Sequence, residues 1–279
     1  MLRVAARSES PALKRLKNCT RCPGLRRVFH RQRAASPRET QETTPSPSAD
    51  NAAMTPDAAR LSARPDPTLP PPGECGLLPL NLGSSRDGLL YVPEKHPLDG
   101  PRPLLVACHG AGSQASHSIR PFVDAAERYG LILLACDSRG GTWDVIRGGY
   151  GPDVQFIDRA LELVFSRCAI DPQKLALDGF SDGASYALSL GLNNGDLFSH
   201  LLGFSPGFLA PAGQVGMPRI FVSHGTADRV LPIDRCGRVI RDQLTRAGYD
   251  LHYTEFEGGH TVPPEVQEEA LGWWGVTGG

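Results

Sequence analysis

Ser181 lies in Gly179-Phe180-Ser181-Asp182-Gly183, a pattern in which a serine hydroxyl can serve as a nucleophile. The apolar stretch from Leu175 reads as a strand and the Ala/Leu-rich run to Leu190 as a helix, so the serine falls at a tight strand-to-helix turn. Such a turn strains the backbone and projects the hydroxyl. It also needs small residues two positions either side, where neighbouring backbone passes close. Gly179 and Gly183 meet that need. The Asp182 N–H, at a helix start, would face an oxyanion forming above Ser181. A serine needs a base, and the base needs an orienting acid. The apolar run Arg219–Ser223 leads into His224-Gly-Thr-Ala-Asp228, and Leu251–Phe256 leads into Glu257-Gly-Gly-His260. Asp228 is therefore the candidate acid and His260 the candidate base. In His109-Gly-Ala-Gly112, glycines after another apolar run would free the Ala111 N–H as a second oxyanion donor. The chemistry these residues can do together is acyl transfer.

Five other histidines have blander explanations. His224 precedes Asp228 in a turn, His109 supports the loop carrying Ala111, and His117, His200 and His252 have no glycine-built loop to present them. Asp234, the rival of Asp228, falls where a helix N-cap is expected. No set of Cys, His or carboxylate residues has metal-ligand spacing, and no Gly-rich phosphate loop with a lysine occurs, so no metal and no cofactor are expected. Cys19-x-x-Cys22 is one pair without a second, read as incidental rather than zinc-binding. Asn18-Cys-Thr20 fits a glycosylation acceptor but has no secretory context.

The elements that must position these residues alternate. Strands are expected at 88–92, 103–108, 131–136, 175–180, 201–204, 219–223 and 251–256, with helices at 119–129, 153–167, after Ser181, at about 234–247 and at 264–274. This order predicts an α/β protein with a mostly parallel central sheet and helices on both faces, its ligands beyond the carboxyl ends of the strands. The Gly-rich loop 137–152 is expected to line the site in part, with Trp143 and Tyr150. The stretch 205–218 is too short for a large cap domain, which predicts an open site.

On these motifs the chain resembles α/β-hydrolase serine esterases, in the style of the phospholipase/carboxylesterase and polyhydroxybutyrate-depolymerase-like branches. The resemblance rests on His109-Gly-Ala-Gly112, Asp153-Val-Gln-Phe-Ile157, Ile170-Asp-Pro172, Gly179 to Gly183, His224 to Asp228 and Gly258-Gly-His260, across most of residues 88 to 274. It implies the α/β-hydrolase fold, hydrolysis of carboxylic esters or thioesters, Ser181 as nucleophile, Asp228 as acid, His260 as base, and the amides of Ala111 and Asp182 as oxyanion hole. The acid at 182 departs from many relatives and bears on substrate charge. A peptidase or carbon–carbon hydrolase would use the same machinery. A non-catalytic binding protein on the same scaffold would be marked by loss of Ser181, Asp228 or His260.

The 279-residue chain has a net charge of −1, which conceals a basic start and an acidic body. Residues 1–70 hold 13 Lys/Arg against 6 Asp/Glu, and the rest holds 16 against 24. An acidic body argues against a nucleic-acid partner; the expected partner is a small-molecule ester or thioester. Residues 1–72, rich in basic residues and then in Pro and Ser, are read as a disordered tail, and 73–279 as the folded domain. Eleven of the first 38 residues are Lys/Arg and the stretch lacks an apolar core of secretory type. A cytoplasmic location is expected, organellar if residues 1–53 act as a transit peptide; Met54 is an alternative start. No apolar run approaches the roughly 18 residues of a membrane span.

Overall fold

A computed structural model describes residues 55–70, 72–96 and 100–278. Eight strands form one sheet: β1 (Gly76–Pro79), β2 (Gly88–Val92), β3 (Arg102–Cys108), β4 (Ile132–Cys136), β5 (Ile170–Phe180), β6 (His200–Phe204), β7 (Arg219–Gly225) and β8 (Leu251–Phe256). Their order is β1-β2-β4-β3-β5-β6-β7-β8. The pairs β1/β2 and β2/β4 are antiparallel, and every pair from β4 to β8 is parallel. The central strands are continuous apolar runs because both of their faces are covered.

Among the described residues six α-helices do the covering: α1 (Ala115–Ile119), α2 (Val123–Tyr129), α3 (Pro152–Phe165), α4 (Asp182–Asn193), α5 (Gly237–Arg246) and α6 (Pro264–Trp274). The helix expected at 119–129 starts earlier, at Ala115, and a short 3-10 turn over Arg120–Phe122 interrupts it at Pro121. Proline lacks the N–H needed to continue a helix ladder. Among the described residues no helix is long and apolar enough to cross a membrane, and 205–218 contains no helix.

Two further features differ from the sequence expectation. The edge strand β1, short and ending in Pro79, carried no periodic signal. The folded body also begins well before residue 73. Ala59 and Leu61 are buried, and Asn194, at the end of α4, accepts from the Leu61 N–H at 2.9 Å and donates to the Ala59 carbonyl at 2.8 Å. Arg60 and Arg64 both reach the Asp196 carboxylate. The expected tail boundary is therefore corrected for residues 55–70, whose polar and Pro-rich composition hid a few anchors that dock on the body. The readings made for Cys19, Cys22 and the remainder of 1–54 lie outside the described residues.

Candidate active site

Strand β5 ends at Phe180, and Ser181 follows with φ 59° and ψ −122°, a left-handed conformation strained for any residue with a Cβ. The turn is held from both sides: the Ser181 N–H donates to the Phe204 carbonyl at 2.9 Å, and its carbonyl accepts from Ala184 and Ser185 in the first turn of α4. The two glycines are demanded by proximity. A Cβ on Gly179 would stand 2.1 Å from the Gly183 oxygen, and one on Gly183 would stand 2.3 Å from the Cys108 oxygen. Helix, strand β5 and strand β3 thus approach more closely than any side chain permits.

The imidazole of His260 stands over this turn. Its Nε2 is 2.8 Å from Ser181 Oγ, and its Nδ1 is 2.7 Å from Asp228 Oδ2. A carboxylate can only accept, so Nδ1–H donates to Asp228 and Nε2 is left to receive the serine proton. The loops that bring the two together are joined to each other: Thr226 N–H donates to the Phe256 carbonyl and Ala227 N–H to the Gly258 carbonyl, each at 2.9 Å. The other oxygen of Asp228 accepts from the Val230 and Leu231 amides at 2.8 and 2.9 Å. Burial pushes the Asp228 carboxyl up, but the Leu231 amide, His260 and the Val230 amide together outweigh it and hold the group below the ordinary carboxylate range. His260 keeps 15 % of its side chain exposed, so the ring faces solvent on the side where a substrate would enter.

Among the described residues neither the Ala111 nor the Asp182 N–H has a hydrogen-bond acceptor. The Ala111 loop is fixed around those free amides. A Cβ on Gly110 would lie 3.5 Å from Ser181 Cβ, which sets the loop beside that serine. His109, below it, accepts from the Ser138 N–H on Nε2 at 2.9 Å, so its proton is on Nδ1 and is donated to the Gly110 carbonyl at 2.8 Å. Burial lowers the His109 pKa, which suits this neutral structural tautomer. His224 is fully buried and donates from Nε2 to the Leu231 carbonyl at 2.7 Å, bracing the loop that carries Asp228. His117, His200 and His252 are not part of the Ser181–His260–Asp228 chain, and Asp234 pairs instead with Arg238 on the surface.

Trp143 and Tyr150 are corrected. Both are buried, at 0 % and 1 % exposure. Trp143 stacks on Tyr186 of α4 with ring centroids 4.5 Å apart and donates from Nε1 to the His109 carbonyl at 2.8 Å. Tyr150 donates to the Ala210 carbonyl at 2.8 Å. Neither can touch a substrate; a large ring in a Gly-rich loop gains more free energy by filling the core than by lining a cleft. The same loop contributes residues that sequence reasoning missed. Gly141 accepts from the Gly112 N–H at 2.7 Å, and Thr142 donates to the Asp182 carboxylate at 2.7 Å. Phe180, whose ring centroid is 4.7 Å from that of His260, was also missed. Nothing local to the sequence marks these contacts.

A mostly parallel sheet in this order, with an acute strand–nucleophile–helix turn and an acid and a histidine delivered by the loops after β7 and β8, is the α/β-hydrolase fold. The chain has that fold. No family model matches it. Among solved structures it is similar to the fluorophosphonate-binding serine hydrolase FphF of Staphylococcus aureus, with TM-score 0.59 and 14 % identity over 74 % of this chain and 100 % of that one. It is also similar to esterase PE8, with TM-score 0.54 and 21 % identity over 68 % of this chain and 98 % of that one. Among curated proteins, acyl-protein thioesterase 1 of Gibberella zeae is 28 % identical over 110 residues, 36 % of this chain and 46 % of the relative. The probable feruloyl esterase C of Aspergillus niger is 25 % identical over 159 residues, 54 % of this chain and 58 % of the relative. The chain spans about half the length of the curated relatives it matches.

Proposed function

We propose that the protein is a serine hydrolase that cleaves carboxylic esters or thioesters through an acyl-enzyme. The observation that carries this reading is the unbroken chain Ser181 Oγ, His260, Asp228, with links of 2.8 and 2.7 Å. Ser181 Oγ attacks the acyl carbon while its proton passes to His260 Nε2, and Asp228 holds the imidazole tautomer and stabilises the cation formed. The Ala111 and Asp182 amides bind the oxyanion. The tetrahedral intermediate collapses, His260 protonates the departing alcohol or thiol, and the acyl group stays on Ser181. His260 then takes a proton from water, which attacks the acyl carbon, and the serine is released as the acid leaves. Similarity to proteins named as thioesterase and feruloyl esterase supports the ester and thioester class.

The helix-free loop 205–218 supports an open site. Five free cysteines among the described residues, four of them buried, suit a reducing compartment and support a cytoplasmic location. Ser181→Ala is the decisive variant. A folded Ser181→Ala protein is expected to lose fluorophosphonate labelling and p-nitrophenyl ester hydrolysis; retention of either at near wild-type level refutes the assignment.

A further inference from the structure

A cavity of about 180 Å³ opens beside the candidate site, on the face of the sheet covered by α1 and α6. Gly110 and Phe180 form its side toward Ser181, Phe122, Phe204 and Val262 give it apolar walls, and Asp178 lines it from β5. Asp178 is 3 % exposed, and its Oδ1 has no hydrogen-bond partner. It stands three residues before Ser181, about 10 Å down an extended strand.

A buried carboxyl oxygen without a hydrogen-bond partner costs stability. Its register partners on β3 and β6, Ala107 and Leu202, are apolar and buried, so Asp178 has core surroundings on both sides. A polar group buried in such surroundings and lining a cavity is a hydrogen-bonding point for something that enters. A cavity of comparable size, about 150 Å³, accommodates benzene. Burial raises the Asp178 carboxyl well above its ordinary range. That direction favours the protonated form, in which the carboxyl can donate one hydrogen bond and accept another. No acidic side chain other than Asp178 lines the cavity to pair with a cation, and the Arg86 guanidinium, bonded to the Ser113 carbonyl at the rim, opposes one.

We propose that this cavity binds a neutral part of the substrate with an apolar body and a hydroxyl or carboxamide head, seated on the Asp178 carboxyl. The assignment to substrate rests on the serine-hydrolase reading above; the binding itself does not.

Two measurements separate them. In the first, benzyl alcohol, toluene and benzylammonium are titrated into the full chain and followed by protein amide shifts. Wild type is expected to bind benzyl alcohol at least tenfold more tightly than either of the others. Asp178→Asn keeps that preference. Asp178→Leu, and Val262→Trp, which fills the mouth from a loop, lose it. In the second, p-nitrophenyl 4-(hydroxymethyl)phenylacetate is expected to exceed p-nitrophenyl phenylacetate in kcat/KM by severalfold, a ratio that falls to about one in Asp178→Leu. Equal binding of benzyl alcohol and toluene by wild type overturns the proposal, as does a ratio of one for the two esters in an enzyme that turns both over. A chain that neither labels with fluorophosphonate nor hydrolyses any ester refutes the Ser181 reading instead, and the titration alone then decides the cavity.

Discussion

Thr142 donates a 2.7 Å hydrogen bond to the carboxylate of Asp182, the residue immediately after Ser181. A negative charge is thereby held at a fixed place next to Ser181, at the start of helix α4, where the backbone dipole favours it. Anionic substrates must approach against that charge. Asp182→Asn is expected to raise kcat/KM severalfold for a negatively charged ester such as mono-(p-nitrophenyl) succinate, with little change for p-nitrophenyl acetate. The gain should shrink as salt is added, because screening weakens the repulsion being removed. An equal effect on both esters would show that the carboxylate acts through structure alone.

Asp228 fixes which nitrogen of His260 carries the proton. Replacing it by Asn leaves the packing intact but allows the wrong tautomer, so kcat for p-nitrophenyl acetate should fall by about 10⁴-fold in steady-state assays. Because the Asp228 carboxyl is held below its ordinary range, its contribution to stability is present above the unfolded value near ~3.9 and is lost as pH falls through the folded value. Urea denaturation of Asp228→Asn should therefore show a flatter pH dependence than wild type below about pH 4. Wild-type turnover in the variant would exclude Asp228 as the orienting acid.

Asp144 and Asp153 cap one another in the loop that braces the Ala111 segment. Asp153 accepts from the Asp144 N–H at 2.6 Å, and Asp144 accepts from the Asp153 and Gly151 amides at 3.0 and 2.9 Å. Burial first, and then the Asp153 charge, push the Asp144 carboxyl up to about 6. Raised in the folded state, it contributes stability below the unfolded value near ~3.9 that is lost as pH rises through about 6. Asp144→Asn keeps the acceptor without the charge. It should be more stable than wild type at pH 7.5 by roughly 1–3 kcal/mol in urea denaturation, with the difference gone at pH 4.

Asn194 secures the segment before the first strand. Its side chain is fully buried, and its removal would leave the Leu61 N–H without its acceptor and the Ala59 carbonyl without its donor. Asn194→Ala is expected to cost about 2–4 kcal/mol and to open residues 55–64 to limited proteolysis before the rest of the chain. Cleavage at wild-type rates would contradict the anchoring role.

What the amino-acid order determined on its own is local. Apolar runs that end in glycine-rich loops define strands and the turns beyond them, so the strands from β2 to β8, the helices after them other than α1, and the positions of Ser181, Asp228 and His260 at strand ends could be read without coordinates. Glycine at 179 and 183 marked the close approach of α4 because only a missing Cβ satisfies it. The tertiary structure alone decided where side chains from distant segments point. Trp143 and Tyr150 look like site residues in a glycine-rich loop, yet Tyr186 and Ala210, remote in sequence, draw them into the interior. Residues 55–70 have the composition of a tail, yet Asn194, 133 residues beyond Leu61, supplies the hydrogen bonds that dock them. Asp178 reads as one polar residue in a strand, and only the packing of α1 and α6 leaves a cavity against it. Backbone periodicity is set by near neighbours along the chain, whereas burial and hydrogen-bond partners are set by which surfaces meet once the sheet has formed.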